Sequence, residues 1–270
     1  MRLLMCPPIY YGIEYEINPW MRRTQPSDPD LAKEQWRLLS RLLQDQLDVD
    51  VALAEPIPGL PDMVFTANAG LVWQEKFIPS NFRYEVRRGE VPQFEEWFQV
   101  RGYEILHLPG EDFFEGEGDL LMCGDVFYAG YHIRSDIHSY HKIAEILQRE
   151  VLTLELTNEW FYHLDTCFCP LGDNRALFYP NAFDSYGIKV LEGHIPTLIV
   201  VPEAEAKRFA CNAIVDGNNI VMNDGCPEVR SKLEKLGFSV YETPLSEFIK
   251  AGGSAKCLAL KVPHHEDPAL

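Results

Sequence analysis

The sequence predicts a single α/β domain spanning residues 1–270 and built from five similar units around a pseudo-fivefold axis. Three observations predict it. Five apolar runs of strand character recur along the chain: VDVALAEP, YEILHLP, VLTLEL, PTLIVVP and FSVYETP. After a loop, each is followed by a second apolar run that a polar residue opens: Asn68, Asp119, His163 with Asp165, Asn212 and Cys257, roughly every 45–50 residues. Turn signatures then fold the second runs into hairpins, and antiparallel pairs are foreign to an ordinary doubly wound parallel sheet.

The unit therefore reads strand, loop, hairpin, helix. A first helix starts at Asp28-Pro29, an oxygen-bearing cap followed by the residue that best tolerates a first turn, and carries the stripe Leu31, Leu38, Leu39, Leu42, Leu43. Phe94, Trp97 and Phe98 form a second stripe, which Gly102 stops. A third opens at Ser135 and runs to Leu147; a fourth opens at Pro227, holds Val229, Leu233 and Leu236, and stops at Gly237. Cys123-Gly124-Asp125, Gly172-Asp173-Asn174 and Asp216-Gly217-Asn218-Asn219 have hairpin-turn composition.

Composition narrows the functional classes. A hydrophobic fraction of 46% with 24% charged residues is that of a globular protein, and no apolar run is long enough to cross a bilayer. The N-terminal MRLLMCPPIYY lacks a secretory signal, so a cytoplasmic location is expected. A net charge of −17 disfavours nucleic acid and anionic membrane as partners and suits a small cationic ligand. Seven scattered cysteines without CxxC pairs read as free thiols, and Cys167 and Cys169, placed on one strand face, read as core residues rather than metal ligands. His264-His265 reads as a solvated terminus.

Three segments carry groups suited to chemistry. GGSAK leads into Cys257 and the apolar Leu258, Ala259 and Leu260, so a thiol sits where a glycine-rich loop meets a buried strand; taken alone, this is also how a core cysteine looks. In WFYHLDT, His163 and Asp165 lie two apart, and strand periodicity would put them on one face. FFEGEGDLL packs Glu115, Glu117 and Asp119 between apolar neighbours, where carboxylates need a cation or good hydrogen bonds.

With MVFTANAGL around Asn68, FEGEGD, HLDT and GGSAKC, the chain resembles the guanidino-group-modifying enzymes over nearly its whole length. That superfamily includes arginine deiminases, dimethylarginine hydrolases and amidinotransferases. The resemblance implies the five-bladed α/β propeller called the pentein fold, and a mechanism needing neither metal nor cofactor. It makes Cys257 the nucleophile on the guanidinium carbon and His163 the acid that protonates the leaving amine and the base that activates water. Glu115 and Asp165 would grip the guanidinium, with Asp119 as a further contact. FEGEGD departs from the EGGD usual in deiminases, so either Glu115 or Glu117 is the equivalent carboxylate; the FEG beginning shared with dihydrolase-like sequences favours Glu115.

Within the superfamily, YEINPWM with Asn18 and FTAN with Asn68 look like the arginine dihydrolase branch, which takes arginine to ornithine, ammonia and carbon dioxide. An amide in place of the deiminase aspartate weakens the grip on a guanidinium and favours a neutral ureido group, which would let citrulline react again. Arg87 or Arg134 would supply the fork for an α-carboxylate, with Arg87 favoured because its segment resembles an arginine-bearing loop of the dihydrolase branch. Dimethylarginine hydrolase, deiminase and amidinotransferase activities are the alternatives, followed by a non-catalytic binding role like that of the ribosome anti-association factors, which lack the thiol and the histidine. The long C-terminal extension of the bifunctional dihydrolases has no counterpart in these residues, so no second activity is expected. The expected partners are the small guanidino substrate and, in a homo-oligomer, further copies of the chain. The aromatic, proline-bounded segment Tyr10 to Trp20 reads as a lid.

Overall fold

A computed structural model of the protein describes residues 1–262. Its strands form five three-stranded sheets, and in each the middle strand is antiparallel to one neighbour and parallel to the other. Gly70–Trp73 and Lys76–Pro79 make a hairpin to which Glu104–Ile105 adds in parallel. Leu120–Cys123, Val126–Tyr131 and Val151–Glu155 repeat the arrangement. So do Phe168–Gly172, Arg175–Phe178 and Thr197–Val200, and then Ile214–Asp216, Asn219–Asn223 and Ser239–Thr243. The fifth sheet draws on both ends of the chain: Arg2–Met5 lies between Leu260–Val262, antiparallel, and Asp50–Leu53, parallel.

Each first apolar run of the sequence pattern is thus a parallel edge strand, paired with the hairpin before it rather than with the one after. A parallel connection needs a crossover of a dozen or more residues, and a helix supplies it in every sheet. These helices are Pro29–Arg41, Val91–Gln99, Ile137–Leu147, Ser185–His194 and Pro227–Lys235. The Phe98 ring stacks on Phe77 at 3.9 Å and so fixes the second helix to its sheet. In the Gly172–Arg175 turn, Asp173 and Asn174 take φ of 48° and 55°, the left-handed pair that a two-residue hairpin loop requires.

Five expectations are corrected. The first helix is capped by Asp28, whose side chain accepts from the Asp30 and Leu31 amides, but it buries Ala32, Trp36 and Leu39, and leaves Leu31 and Leu38 exposed. Of the expected leucine stripe, Leu39 and Leu43 are therefore on the core face, and Leu31 and Leu38 are turned off it. The third helix has Asp136 at its N-cap position, with no side-chain capping bond, while the Ser135 hydroxyl is committed to Asp119. Ser185–His194 escaped the pattern because its buried residues are only Gly187 and Leu191. His163 and Asp165 belong to a 3-10 turn, Leu164–Thr166 with His163 as its cap, and not to a strand. Cys167 closes that turn, so it does not share a strand with Cys169; both are buried.

These turns position the site. Thr66–Ala69, Gly116–Gly118 and Leu164–Thr166 each lead from the edge strand of one sheet into the hairpin of the next, and the second packs against the other two. No helix among the described residues is long and apolar enough to cross a membrane. His264-His265 lies outside the described residues.

Candidate active site

Cys257 sits in the turn that precedes Leu260–Val262. Gly252 takes φ of +86° there, and its carbonyl accepts the Tyr162 hydroxyl at 2.7 Å. A Cβ at Gly253 would stand 2.4 Å from the Phe65 ring, so the glycines are what let the Cys257 turn pack this closely. Asn212 brackets the cysteine: its Nδ2 donates to Sγ at 3.0 Å, and its Oδ1 accepts the Cys257 amide at 3.1 Å. The thiol in turn donates to Asp165 Oδ2 at 3.3 Å. Burial, reinforced by the Asp165 charge, pushes the Cys257 thiol well above its ordinary value. Burial likewise raises the Asp165 carboxyl, which Lys256 partly offsets, to about 7. The resting pair is therefore proton-rich, and the thiol as it stands is a poor nucleophile.

The imidazole has a separate support. His163 Nε2 lies 2.6 Å from Glu115 Oε2, and the same oxygen accepts Arg134 Nη1 at 2.9 Å. Glu115 Oε1 accepts the Arg83 amide at 3.2 Å. Although burial alone would raise it, Arg134 and His163 hold the Glu115 carboxyl well below the usual carboxylate range. The Arg134 guanidinium lies between the Tyr84 and Tyr162 rings, 4.8 and 4.5 Å from their centroids, and donates to the Ile17 carbonyl at 2.9 Å.

Asn68 is oriented by Arg87. The Arg87 Nε and Nη2 each donate to Glu90 at 2.9 Å, and Nη1 donates to Asn68 Oδ1 at 3.0 Å. An arginine only donates, so Asn68 must present its oxygen to Arg87 and its Nδ2 to the other side. Gly118 makes room for this, since a Cβ there would fall 2.2 Å from Asn68 Nδ2 and 3.3 Å from the His163 ring.

Buried polar atoms without a partner among the described residues gather at this place: Asp165 Oδ1, Asn68 Nδ2, Arg134 Nε, Asp62 Oδ1 and Ser254 Oγ. Native interiors rarely leave such atoms unpaired, and a cluster of them marks a ligand site. Ile17, Asn18, Asp62, Asn68, Arg87, Arg134, Tyr162 and Cys257 are among the residues that line the cavity. Its free volume is about 10 Å³, room for about one water. The strap over it is pinned by Asn18, which donates to the Ala251 carbonyl at 3.0 Å, and by Trp20, whose indole donates to the Trp160 carbonyl at 2.8 Å.

Of the residues singled out in the sequence, Cys257, Asn68, Asn18, Arg87 and Arg134 line the cavity. Asp165, His163 and Glu115 stand directly behind them through the bonds above. Asp119 stands apart from the lining: its oxygens accept the Ser135 hydroxyl at 2.6 Å and the Leu164 amide at 3.0 Å, which ties two turns together. Glu117 takes the Lys256 ammonium at 2.7 Å, pointing away from the thiol. Asp62, Tyr162 and the bracketing role of Asn212 were missed. Only Asn212 left a signal, its place in the repeat. Among the described residues, no group of three histidine, cysteine or acidic side chains is arranged to hold a metal.

Residues 19–263 match the family described as N,N dimethylarginine dimethylhydrolase, eukaryotic. The chain belongs to this family. Its relatives include the bifunctional arginine dihydrolase/ornithine cyclodeaminase ArgZ of Synechocystis sp., 47% identical over 97% of this chain and 38% of that protein. The N(G),N(G)-dimethylarginine dimethylaminohydrolase of Mycobacterium tuberculosis is 38% identical over 97% of this chain and 85% of that one. The chain thus spans well under half of the bifunctional relatives and most of the monofunctional one. Among solved structures, a cysteine-to-serine mutant of the N-terminal domain of ArgZ bound to substrate superposes with a TM-score of 0.92 at 46% identity, covering 96% of this chain and 97% of that one. A histidine-to-glycine dimethylarginine dimethylaminohydrolase carrying an adduct with S-methyl-L-thiocitrulline gives 0.84 at 26% identity, over 97% of this chain and 99% of that one. The family match therefore takes in Cys257, His163, Asp165, Glu115, Asn68, Arg87 and Arg134, while Asn18 and the strand Arg2–Met5 precede it.

Proposed function

We propose that this protein is a guanidino-group hydrolase that takes arginine to ornithine, ammonia and carbon dioxide through a covalent intermediate on Cys257. The observation that carries the reading is Asp165, with one oxygen on the thiol and the other buried and unpartnered among the described residues. A ligand with N–H donors and a positive charge satisfies that oxygen, offsets the buried carboxylate and stabilises a thiolate beside it. A guanidinium has both properties and places its carbon over the sulfur.

Cys257 Sγ attacks that carbon, and the bond to one terminal nitrogen breaks as His163 delivers a proton to the departing ammonia. His163 then takes a proton from water, the hydroxide attacks the S-alkylthiouronium carbon, and the C–S bond breaks to give citrulline and the thiolate. In a second round the thiolate attacks the ureido carbon, a second ammonia leaves, and water releases the carbamate of ornithine, which loses carbon dioxide. Asn68 serves this round, because its free Nδ2 donates to the neutral ureido oxygen where an aspartate would repel it. Glu115 acts by holding His163 in place, since both of its oxygens are already engaged, and Asp165 is left to bind the guanidinium. Asp62 Oδ1 is suited to the α-ammonium and Arg134 Nε to the α-carboxylate. The strap around Asn18 and Trp20 must lift to admit arginine.

The relatives support this choice: ArgZ is named for arginine dihydrolase activity, and its N-terminal domain covers the present chain almost end to end. We further propose that the five sheets close around a common axis as a single propeller domain. The seven free cysteines fit a cytoplasmic location. The test is to incubate the protein with arginine, citrulline, N,N-dimethylarginine and agmatine and to identify products by mass spectrometry. Ornithine from both arginine and citrulline supports the reading. Dimethylamine from dimethylarginine as the fastest reaction would replace it with the methylated-arginine activity.

A further inference from the structure

A second cavity lies on the other side of the Lys256–Cys257 peptide. Cys257 lines the site described above, whereas Lys256 lines this one. Its volume is about 450 Å³, within the range of small-molecule sites. All five sheets contribute the opening strand of their hairpins to its wall, through Leu71, Leu120, Phe168, Val215 and Lys261 among others. The wall is mostly apolar, yet three cationic side chains, Lys256, Lys261 and Arg149, face it against the one carboxylate of Glu117. This reverses the sign of a chain whose net charge is −17. Glu117 is already taken, by the Lys256 ammonium at 2.7 Å and by the Lys261 amide at 3.4 Å. Lys261 keeps its surface open to the cavity while the surrounding protein, by burial, holds its ammonium below the ordinary lysine value.

We infer that this cavity is a binding site for a small amphipathic anion, a molecule with an apolar body and one carboxylate. The body would lie against Leu71, Leu120 and Phe168, and the carboxylate would meet Lys261 and Arg149. No side chain that the proposed reaction uses takes part, so the inference stands independently of the substrate assignment.

The experiment titrates the full chain with octanoate by isothermal calorimetry, with octan-1-ol as the uncharged control. The expected result is saturable binding with one site per chain, at least about tenfold weaker for octan-1-ol and for Arg149→Glu and Lys261→Glu, as the loss of a charge-assisted contact implies. Met122→Trp, which fills the cavity from an exposed position without altering charge, should weaken binding equally. Thermal melting of each variant separates lost binding from lost folding, and Arg149, on the surface, carries the test if Lys261→Glu does not fold. Octanoate should bind Cys257→Ser unchanged with arginine present. Absence of saturable binding, equal affinity for octan-1-ol, equal affinity in the folded charge variants, or displacement by arginine would overturn the proposal.

Discussion

At the scale of single residues, the thiol and the imidazole of the site have separate supports. Cys257 answers to Asp165 and Asn212, and His163 answers to Glu115. Cys257→Ser should lower turnover by at least about 10³-fold while the melting temperature stays put; a variant retaining a tenth of the activity would remove this residue as nucleophile. Asn68→Asp should shift the products from ornithine towards citrulline, and an unchanged ratio would refute the role given to the amide donor. Burial raises the Asp165 carboxyl from 3.8 to about 7, so between those values the folded state keeps a proton that the unfolded state has lost. This contribution to stability is full below the unfolded pKa and is lost as pH rises through about 7. The guanidinium needs the ionised form, so kcat/KM for arginine should climb as pH rises through the same region. A profile flat down to about pH 5 would contradict the assignment.

At the scale of elements, the site is built from turns rather than strands, and this is where the sequence was hardest to read. The repeat of polar residues was visible because each opens a hairpin, but the strand periodicity applied to His163 and Asp165 fails inside a 3-10 turn. Asp62 and Tyr162 left no local trace, since their place in the site comes from packing between distant segments, as in the Tyr162 bond to Gly252. The thiol, the histidine and the acidic turn were legible because glycines and clustered carboxylates among apolar residues are costly unless used. Gly118 shows how tightly the turns fit: Gly118→Ala would drive a Cβ to 2.2 Å from Asn68 and should cut kcat/KM roughly a hundredfold. Near-normal kinetics in that variant would mean that the turns yield more easily than their packing implies.

At the scale of the whole molecule, the two ends of the chain meet in one sheet, with Arg2–Met5 paired to Leu260–Val262. The Cys257 turn leads directly into that strand, so the thiol is anchored where the two ends of the chain pair. Deleting residues 260–270 should abolish cooperative thermal unfolding, followed by circular dichroism; a truncated chain with an unchanged melt would separate closure from stability. The five-unit period made the repeated sheets legible, whereas the pairing of each edge strand with the preceding hairpin depends on crossover geometry that no single segment encodes. The measurement that bears most directly on the central claim is the ratio of ammonia to ornithine formed from arginine by the purified protein. Two ammonia per ornithine, with citrulline appearing only in passing, is the predicted result; one ammonia per arginine with citrulline accumulating would contradict it.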